Sequence, residues 1–179
     1  MADQKQRKDS AKEKLPSKRI ILSDLLTTLG NLGATCATAE SCTGGLIAAA
    51  LTELPGSSAI FRGGVVVYQT DLKESQLGVA SDLLTKPGAV HSEVAMSMAK
   101  GVQKLYNATY SVATTGFAGP SGGTAASPVG TVIFGLAGPH GTESVKLLFA
   151  GNRRAIRLAA TKIALYLLVE MIHKKQVVS

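Results

Sequence analysis

The sequence predicts an α/β fold in which a mixed β-sheet carries helices on both faces. Apolar residues make up 45% of the 179 residues and are mostly Ala, Leu and Val, since aromatic residues account for only 4%. The chain also has 19 glycines, which suits strands and helices joined by tight turns. Helical and strand patterns alternate before a β-hairpin, and a chain of this length buries about two-thirds of its unfolded surface in one core.

The first part of the chain contains two helices with a strand between them. The first helix is predicted to end at Gly30 or Gly33, and residues 34–39 are predicted to form a buried strand. A second helix is predicted to start at Gly45 and to stop before Pro55. The residues predicted to be buried follow a helical spacing: Ile21, Leu22, Leu25, Leu29 and Leu32 in the first helix, then Leu46, Ile47, Ala50, Leu51 and Leu54 in the second.

The remaining elements continue the alternation. GGVVVY at residues 63–68 predicts a second strand that is buried on both faces, and residues 71–77 predict a short helix. Residues 91–105 predict a helix that Ser92 caps and that turns an apolar stripe toward the core. The stripe is Val94, Ala95, Met98, Val102 and Leu105. The later elements are a strand at 110–114, a hairpin of 131–137 and 144–149, and a last helix that starts near Asn152. The residues that this last helix is predicted to bury are Ile156, Ala160, Ile163, Leu167 and Met171.

Charge and composition limit the classes of partner. Part of the formal charge of +7 lies in residues 1–18, which are almost without apolar side chains, so we expect a disordered basic tail there and one folded domain over residues 19–175. No aromatic or RNA-binding signature accompanies the tail, so a solvated extension is favoured over a nucleic-acid arm, which stays open as the last-ranked alternative. No stretch has the apolar length of a membrane span, which favours a cytoplasmic protein with no membrane partner. Cys36 and Cys42 lack the paired spacing of a zinc site, so we expect reduced thiols, no metal and no cofactor.

Residues 38–45, TAESCTGG, form the predicted turn between the first strand and the second helix. In open α/β sheets, ligands collect at the carboxyl ends of the strands, beside helix N-termini. Residues 68–73, after the second strand, and the glycine-rich loop after the third strand are expected at the same edge. The backbone N–H groups of the turn therefore predict a pocket for an anion or an oxyanion.

Ser41 in this turn is a candidate nucleophile only if another group takes its proton, because a hydroxyl is nearly inert at neutral pH. None of the three histidines follows a predicted strand end, whereas Tyr68 and Lys73 both follow the second strand. A lysine acts as a base only if burial or neighbouring cations lower its pKa from the usual value of about 10.4. Glu40 would oppose that change, so its carboxylate is expected to face backbone or hydroxyl donors instead.

Each of these residues also has a simpler interpretation. Ser41 and Thr43 are each equally consistent with a helix N-cap, and Lys73 taken alone is typical of a surface lysine. Cys42 is typical of a small buried apolar residue, although a thiol at a helix N-terminus is also a candidate nucleophile. The loop at residues 116–123 lacks the lysine of a phosphate-binding P-loop and by itself indicates only a turn that covers a ligand.

Six motifs occur in a fixed order between residues 25 and 168: AESCTGG, PGSSAIFRGGVVVY, LKESQLGV, GAVHSEVA, TGFAGPSGG and PVGTV. Together they resemble the CinA carboxy-terminal domain family, whose members include bacterial nicotinamide-nucleotide amidases. The resemblance implies a three-layer α/β/α sandwich with a mixed, mostly parallel sheet. It also implies a homodimer or a higher homo-oligomer.

The resemblance further implies an activity. The expected reaction is hydrolysis of the carboxamide of nicotinamide mononucleotide, a small-molecule nucleotide substrate, to nicotinic acid mononucleotide and ammonia without a metal. By motif, Ser41 is the nucleophile, Lys73 the base and Tyr68 the proton relay to ammonia. The implied substrate-binding residues are Cys42, Thr43, Gly44, Gly45, Thr115, Gly116, Gly119, Arg153 and Arg157, of which the two arginines suit a ligand phosphate.

Two positions depart from the family pattern, and a second class of function stays open. Asn152 stands where the family often has an acidic residue, and Phe117 stands where a smaller aliphatic residue is usual. The alternative is a nucleotide-binding or regulatory module, linked with competence and DNA damage, that turns over little substrate. Such a module needs the glycine turns and the arginines but no reactive serine, so the presence of Ser41, Lys73 and Tyr68 together favours the enzyme.

Overall fold

The computed structural model describes residues 15–176, so most of the predicted tail at residues 1–18 lies outside the described residues. Two short helical segments at residues 57–59 and 81–88 connect the larger elements. The larger elements follow in chain order as α1 Lys18–Asn31, β1 Cys36–Glu40, α2 Leu46–Thr52, β2 Phe61–Val66, α3 Thr70–Leu77, α4 Ser92–Leu105, β3 Tyr110–Gly116, β4 Thr131–Gly138, β5 Gly141–Leu148 and α5 Arg153–Gln176.

The strands form one sheet in the order β2-β1-β3-β4-β5. β1 pairs in parallel with β2 and with β3, whereas β4 pairs antiparallel with β3 and with β5. β4 alone therefore runs against the other strands, and the sheet is mixed and mostly parallel. Helices α1, α2 and α5 pack on one face, and α3 and α4 pack on the other. The predicted α/β/α sandwich is confirmed.

The two faces of the sheet differ in the size of their side chains. The face under α1, α2 and α5 carries large residues such as Phe134 and Leu136, while the face under α4 carries small ones such as Ala113 and Ala137. A Cβ atom at Gly135 would collide with the carbonyl oxygen of Ala95 in α4. The absence of side-chain bulk at this position lets α4 lie directly on the sheet.

The prediction that the second strand is buried on both faces is wrong. β2 is an edge strand, and its residues alternate between half-buried and exposed. Val66 at its end is 48% exposed, since β2 has a neighbouring strand on one side only. The apolar run VVV was typical of a central strand, but the strand order puts it at the edge.

Two details at helix ends also differ from prediction. Leu32 and Leu105 are exposed rather than buried, since Leu32 follows the last residue of α1 and Leu105 is the last residue of α4. The N-cap of α4 is His91, not Ser92: its Nδ1 accepts a hydrogen bond from the Glu93 N–H at 3.4 Å. Among the helices described, none is both long enough and apolar enough to cross a membrane.

Candidate active site

The carboxyl ends of β1, β2 and β3 meet at one edge of the sheet, as their parallel pairing requires. β5 runs in the same direction, so α5 begins at this edge as well. A cavity of about 180 Å³ opens there. Its lining includes seven of the predicted site residues, namely Ser41, Cys42, Tyr68, Lys73, Thr115, Gly116 and Arg153.

Ser41 and Lys73 meet inside this cavity. Lys73 Nζ lies 3.3 Å from Ser41 Oγ, and the two side chains are separated by 32 residues of sequence. Ser41 is 8% exposed and Lys73 is 2% exposed. A buried serine hydroxyl therefore faces a buried amine, which is the pair that the sequence predicted.

Three backbone carbonyl oxygens surround the amine of Lys73. Nζ donates to the carbonyls of Val67 at 2.8 Å, Gln69 at 3.3 Å and Tyr68 at 3.4 Å. A carbonyl oxygen can only accept a hydrogen bond, so Ser41 is the one neighbour in this set that can also donate. When the amine is neutral, its N–H groups are held by the carbonyls and its lone pair is left for the Ser41 hydroxyl.

Burial lowers the pKa of Lys73 from its usual value of 10.5, because the charged form loses contact with water. Smaller effects from Cys42 and Asp71 oppose this change. The direction is the one that a general base needs, since only the neutral amine can accept the proton of Ser41.

The carboxylate of Glu40 binds the N-terminus of α2. Oε2 accepts from the N–H groups of Gly45 at 2.9 Å and Ile47 at 3.1 Å, and Oε1 accepts from Ala48 at 2.8 Å. Glu40 thus faces backbone donors, as predicted. The N-cap residue is Gly45, without a side-chain cap bond, so neither Ser41 nor Thr43 caps the helix.

Glu40 changes where an oxyanion can bind. The helix end predicted to hold an anion already holds the protein's own carboxylate, and the N–H of Gly44 donates to the Ser41 carbonyl at 3.1 Å. Among the residues described, the N–H groups of Cys42 and Thr43 donate to no oxygen. The turn before α2, rather than the helix itself, therefore contains the N–H groups that no protein oxygen accepts from.

Arg157 holds this turn from outside. Its Nε donates to the Cys42 carbonyl at 3.1 Å, and a terminal nitrogen donates to the Thr43 carbonyl at 2.7 Å. Gly44 has φ of +61°, and a Cβ added there would lie 3.0 Å from the guanidinium. Only glycine fits this approach without displacing the arginine. Thr43 turns inward, with its hydroxyl 2.8 Å from that of Thr114.

Cys42 lines the cavity but stays a thiol. Burial raises its pKa to about 11, and the negative charge of Glu40 adds to this, while hydrogen bonds to the sulfur and the charge of Arg157 act in the opposite direction. A thiol with that pKa is protonated at neutral pH and is a poor nucleophile. The raised pKa therefore favours Ser41 over Cys42 as the candidate nucleophile.

The remaining predicted residues lie around the mouth of the cavity. Thr115 Oγ1 donates to the Ala89 carbonyl at 2.8 Å and so ties β3 to the loop before α4. Arg153 donates to the Gly119 carbonyl at 2.8 Å and to the Tyr68 hydroxyl at 2.9 Å. The other five predicted residues do not line the cavity, namely Thr43, Gly44, Gly45, Gly119 and Arg157.

Sequence reasoning missed the loop before α4. Ala89 and Val90 line the cavity, together with Thr70 and Ala118. Ala89 and Val90 belong to the motif GAVHSEVA of the family pattern, but neither has a chemically reactive side chain that would indicate a site. Asn152, the departure from the family pattern, accepts from the Ala155 N–H at 3.0 Å through its side-chain oxygen, so it caps α5 as an aspartate would.

A larger cavity of about 440 Å³ lies between α1 and α5, away from Ser41. It contains the His173–Asp24 pair, whose Nε2 and Oδ1 atoms are 3.3 Å apart, and the described residues that line it include no serine, threonine, cysteine or lysine. Chemistry rather than size therefore identifies the cavity of Ser41 as the candidate active site. Over the part of the chain described, no group of three or more His, Cys, Asp or Glu side chains is placed to hold a metal ion.

Known proteins resemble this chain in sequence and in structure. A CinA-like protein of Geotalea uraniireducens is 48% identical over 133 residues, which are 74% of this chain and 32% of the relative. A CinA-like protein of Anaeromyxobacter is 46% identical over 158 residues, which are 88% of this chain and 37% of the relative. The chain thus spans about a third of the length of these curated relatives.

Solved structures match over a larger share of their length. The competence/damage inducible protein from Agrobacterium tumefaciens has a TM-score of 0.83 at 40% identity, over 88% of this chain and 98% of that chain. A CinA superfamily protein from Klebsiella pneumoniae has a TM-score of 0.84 at 30% identity, over 89% of this chain and 99% of that chain. The family model of the CinA C-terminal domain matches residues 19–172. The chain belongs to the CinA C-terminal domain family.

Proposed function

We propose that this protein is an amidohydrolase that deamidates nicotinamide mononucleotide by a Ser-Lys mechanism. The observation that carries the proposal is the 3.3 Å contact between Lys73 Nζ and Ser41 Oγ inside a cavity at the sheet edge. Two buried groups of this kind contribute nothing to packing that an apolar pair would not supply better. Their pairing is explained if the amine removes the hydroxyl proton.

In the first half of the reaction, Ser41 Oγ attacks the carboxamide carbon and its proton moves to Lys73 Nζ. The negative charge that develops on the carboxamide oxygen is stabilised by the N–H groups of Cys42 and Thr43. One such donor is typically worth about 2.7–4 kcal/mol in the transition state. The C–N bond then breaks, and the nitrogen leaves as ammonia with a proton that Tyr68 relays from Lys73.

In the second half, water attacks the ester between the nicotinoyl group and Ser41. Lys73, neutral again, takes a proton from this water, and Ser41 Oγ leaves with that proton. The product is nicotinic acid mononucleotide, and the enzyme returns to its starting state. General base catalysis of this kind contributes about 10² to 10⁴ in rate.

The test is release of ammonia from nicotinamide mononucleotide by the purified protein. We expect Ser41→Ala to lose activity by at least about 10⁴-fold, since it removes the nucleophile. Ser75→Ala is the matched control, because Ser75 is an exposed serine in α3, outside the cavity, whose hydroxyl donates to the Asp71 carbonyl. We expect this control to keep wild-type activity.

A different result would favour the second class of function. If the wild type binds nicotinamide mononucleotide but releases no ammonia, the amidase proposal is refuted and a nucleotide-binding or regulatory module takes its place. The relatives named for competence and damage would agree with such a role. Activity in Ser41→Ala equal to that of the wild type would refute the Ser-Lys mechanism directly.

A further inference from the structure

Arg153 borders two neighbouring cavities. One is the 180 Å³ cavity of Ser41 and Lys73. The other, of about 540 Å³, is lined by Leu46, Arg153, Arg154, Arg157 and Leu158. Small-molecule sites usually measure about 300–1,000 Å³, so the first cavity alone is too small for a whole nucleotide.

The second cavity, called here the arginine cavity, suits a phosphate group. Three arginine residues belong to its mostly apolar lining, and no acidic residue does. Arginine forks bind phosphate oxygens with paired hydrogen bonds. Arg157 is already engaged with the carbonyls of Cys42 and Thr43, so Arg153 and Arg154 are the residues placed to bind a ligand.

Arg153 also reaches the reacting centre, which Arg154 does not line. One terminal nitrogen of Arg153 donates to the Gly119 carbonyl at 2.8 Å, and the other donates to the Tyr68 hydroxyl at 2.9 Å. A guanidinium has five N–H donors, and these bonds use two of them. Arg153 can therefore bind a phosphate and keep its bond to Tyr68.

Tyr68 depends on this bond for its position. Tyr68 is 53% exposed, so burial alone does not fix the position of its ring. A phosphate that immobilises Arg153 also immobilises the hydroxyl of Tyr68. The entropy of ordering Tyr68 is then lost when the phosphate binds rather than during the chemical step.

We propose that Arg153 is a specificity-determining residue that links the phosphate of the substrate to Tyr68. The inference rests on the proposed function, because it assigns Tyr68 to proton transfer in amide hydrolysis. Its consequence is that a substrate without a phosphate loses kcat as well as affinity. A phosphate that served only as a binding handle would change KM alone.

The kinetic test compares Arg153→Met with Arg154→Met, using nicotinamide mononucleotide and the corresponding riboside. Both variants remove one guanidinium from the arginine cavity, but only Arg153 contacts Tyr68. We expect Arg153→Met to lower kcat on the nucleotide by about 10- to 100-fold and to bring the kcat values of the two substrates together. We expect Arg154→Met to raise KM and to leave kcat within about twofold.

A double-mutant cycle with Tyr68→Phe separates a link from two independent effects. If Arg153 acts through Tyr68, Arg153→Met should cost little further kcat once Tyr68 is phenylalanine. Additive losses in kcat would overturn the link. So would an Arg153→Met variant that, like Arg154→Met, raises only KM.

A second readout does not require turnover. The wild type labelled with ¹³C at the tyrosine ring carbon bonded to oxygen is titrated with ribose 5-phosphate, and Tyr68→Phe assigns the signal of Tyr68. We expect this signal to shift in the wild type and in Arg154→Met but not in Arg153→Met. No shift in an active wild type would overturn the link and leave the amidase proposal standing. The expected shifts in a wild type that releases no ammonia would support the link and refute the amidase proposal.

Discussion

At the scale of single residues, Glu40 joins the turn that carries Ser41 to the N-terminus of α2 through hydrogen bonds. Its carboxylate is 1% exposed and accepts three backbone N–H groups at the N-terminus of α2. Of these three N–H groups, that of Ile47 belongs to a buried residue and would otherwise have no partner. The arrangement keeps the carboxylate engaged with the helix, so that it does not pair with Lys73.

Replacing Glu40 with glutamine tests this role. The amide NH₂ cannot accept a hydrogen bond, so at least one N–H loses its partner, and we expect the free energy of unfolding to fall by about 1.5–3 kcal/mol. Glu53→Gln is the matched control, because Glu53 pairs with Lys18 at 2.7 Å on the exposed surface. Exposed pairs are worth about 1 kcal/mol or less. Denaturant unfolding measures both values, and an equal loss in the two variants would contradict the role given to Glu40.

The pair of Ser41 and Lys73 shows what a residue pattern predicts and what it omits. The sequence placed both residues after neighbouring strands, and parallel pairing brings those strand ends together. The carbonyl oxygens of residues 67–69 around Lys73 were not predictable, because their direction depends on how the chain leaves β2 for α3. The hydrogen bond between Arg153 and Tyr68 was also not predicted, since 85 residues separate them and the sequence around either residue does not indicate a contact with the other.

At the scale of elements, the close packing of α4 on β4 depends on a strand position without a side chain. A methyl group at Gly135 would meet the backbone of Ala95 and Met96. We expect Gly135→Ala to lower the free energy of unfolding by about 1–3 kcal/mol, because α4 must move away from the sheet.

Gly30→Ala is the matched control for this prediction. Gly30 lies inside α1, and a Cβ added there meets no atom within 4 Å. Alanine is favoured over glycine within a helix, so we expect this variant to gain about 0.5–1 kcal/mol. Thermal or denaturant unfolding of both variants gives the comparison. If Gly135→Ala were as stable as Gly30→Ala, the close packing of α4 would be contradicted.

At the scale of the whole molecule, the periodic patterns predicted the elements well but gave no strand order. The buried stripe of α4 appears in the structure from Val94 to Val102, because helical spacing directly reports a buried face. The edge position of β2 was not predicted, since the sequence GGVVVY is compatible with a central strand and with an edge strand. Strand order follows from how all the layers pack, which no single segment encodes.

The whole fold also explains why the site lies where it does. Four strands run in one direction, so the turn after β1, the segment after β2, the loop after β3 and the start of α5 all reach one edge. That edge brings Ser41, Lys73, Tyr68 and the arginine cavity together from separate parts of the chain. The antiparallel strand β4 makes this possible by returning the chain for β5 and α5.

The most direct test of the central claim is the pH dependence of kcat/KM for nicotinamide mononucleotide in the wild type and in Lys73→Met. The base must be neutral, and burial lowers the pKa of Lys73 from 10.5, so the wild-type rate should rise with pH and level off below that value. Lys73→Met should have a kcat/KM lower by about 10² to 10⁴-fold, and this kcat/KM should no longer rise with pH. A variant that keeps both the wild-type rate and its pH profile would contradict the assignment of Lys73 as the base of Ser41.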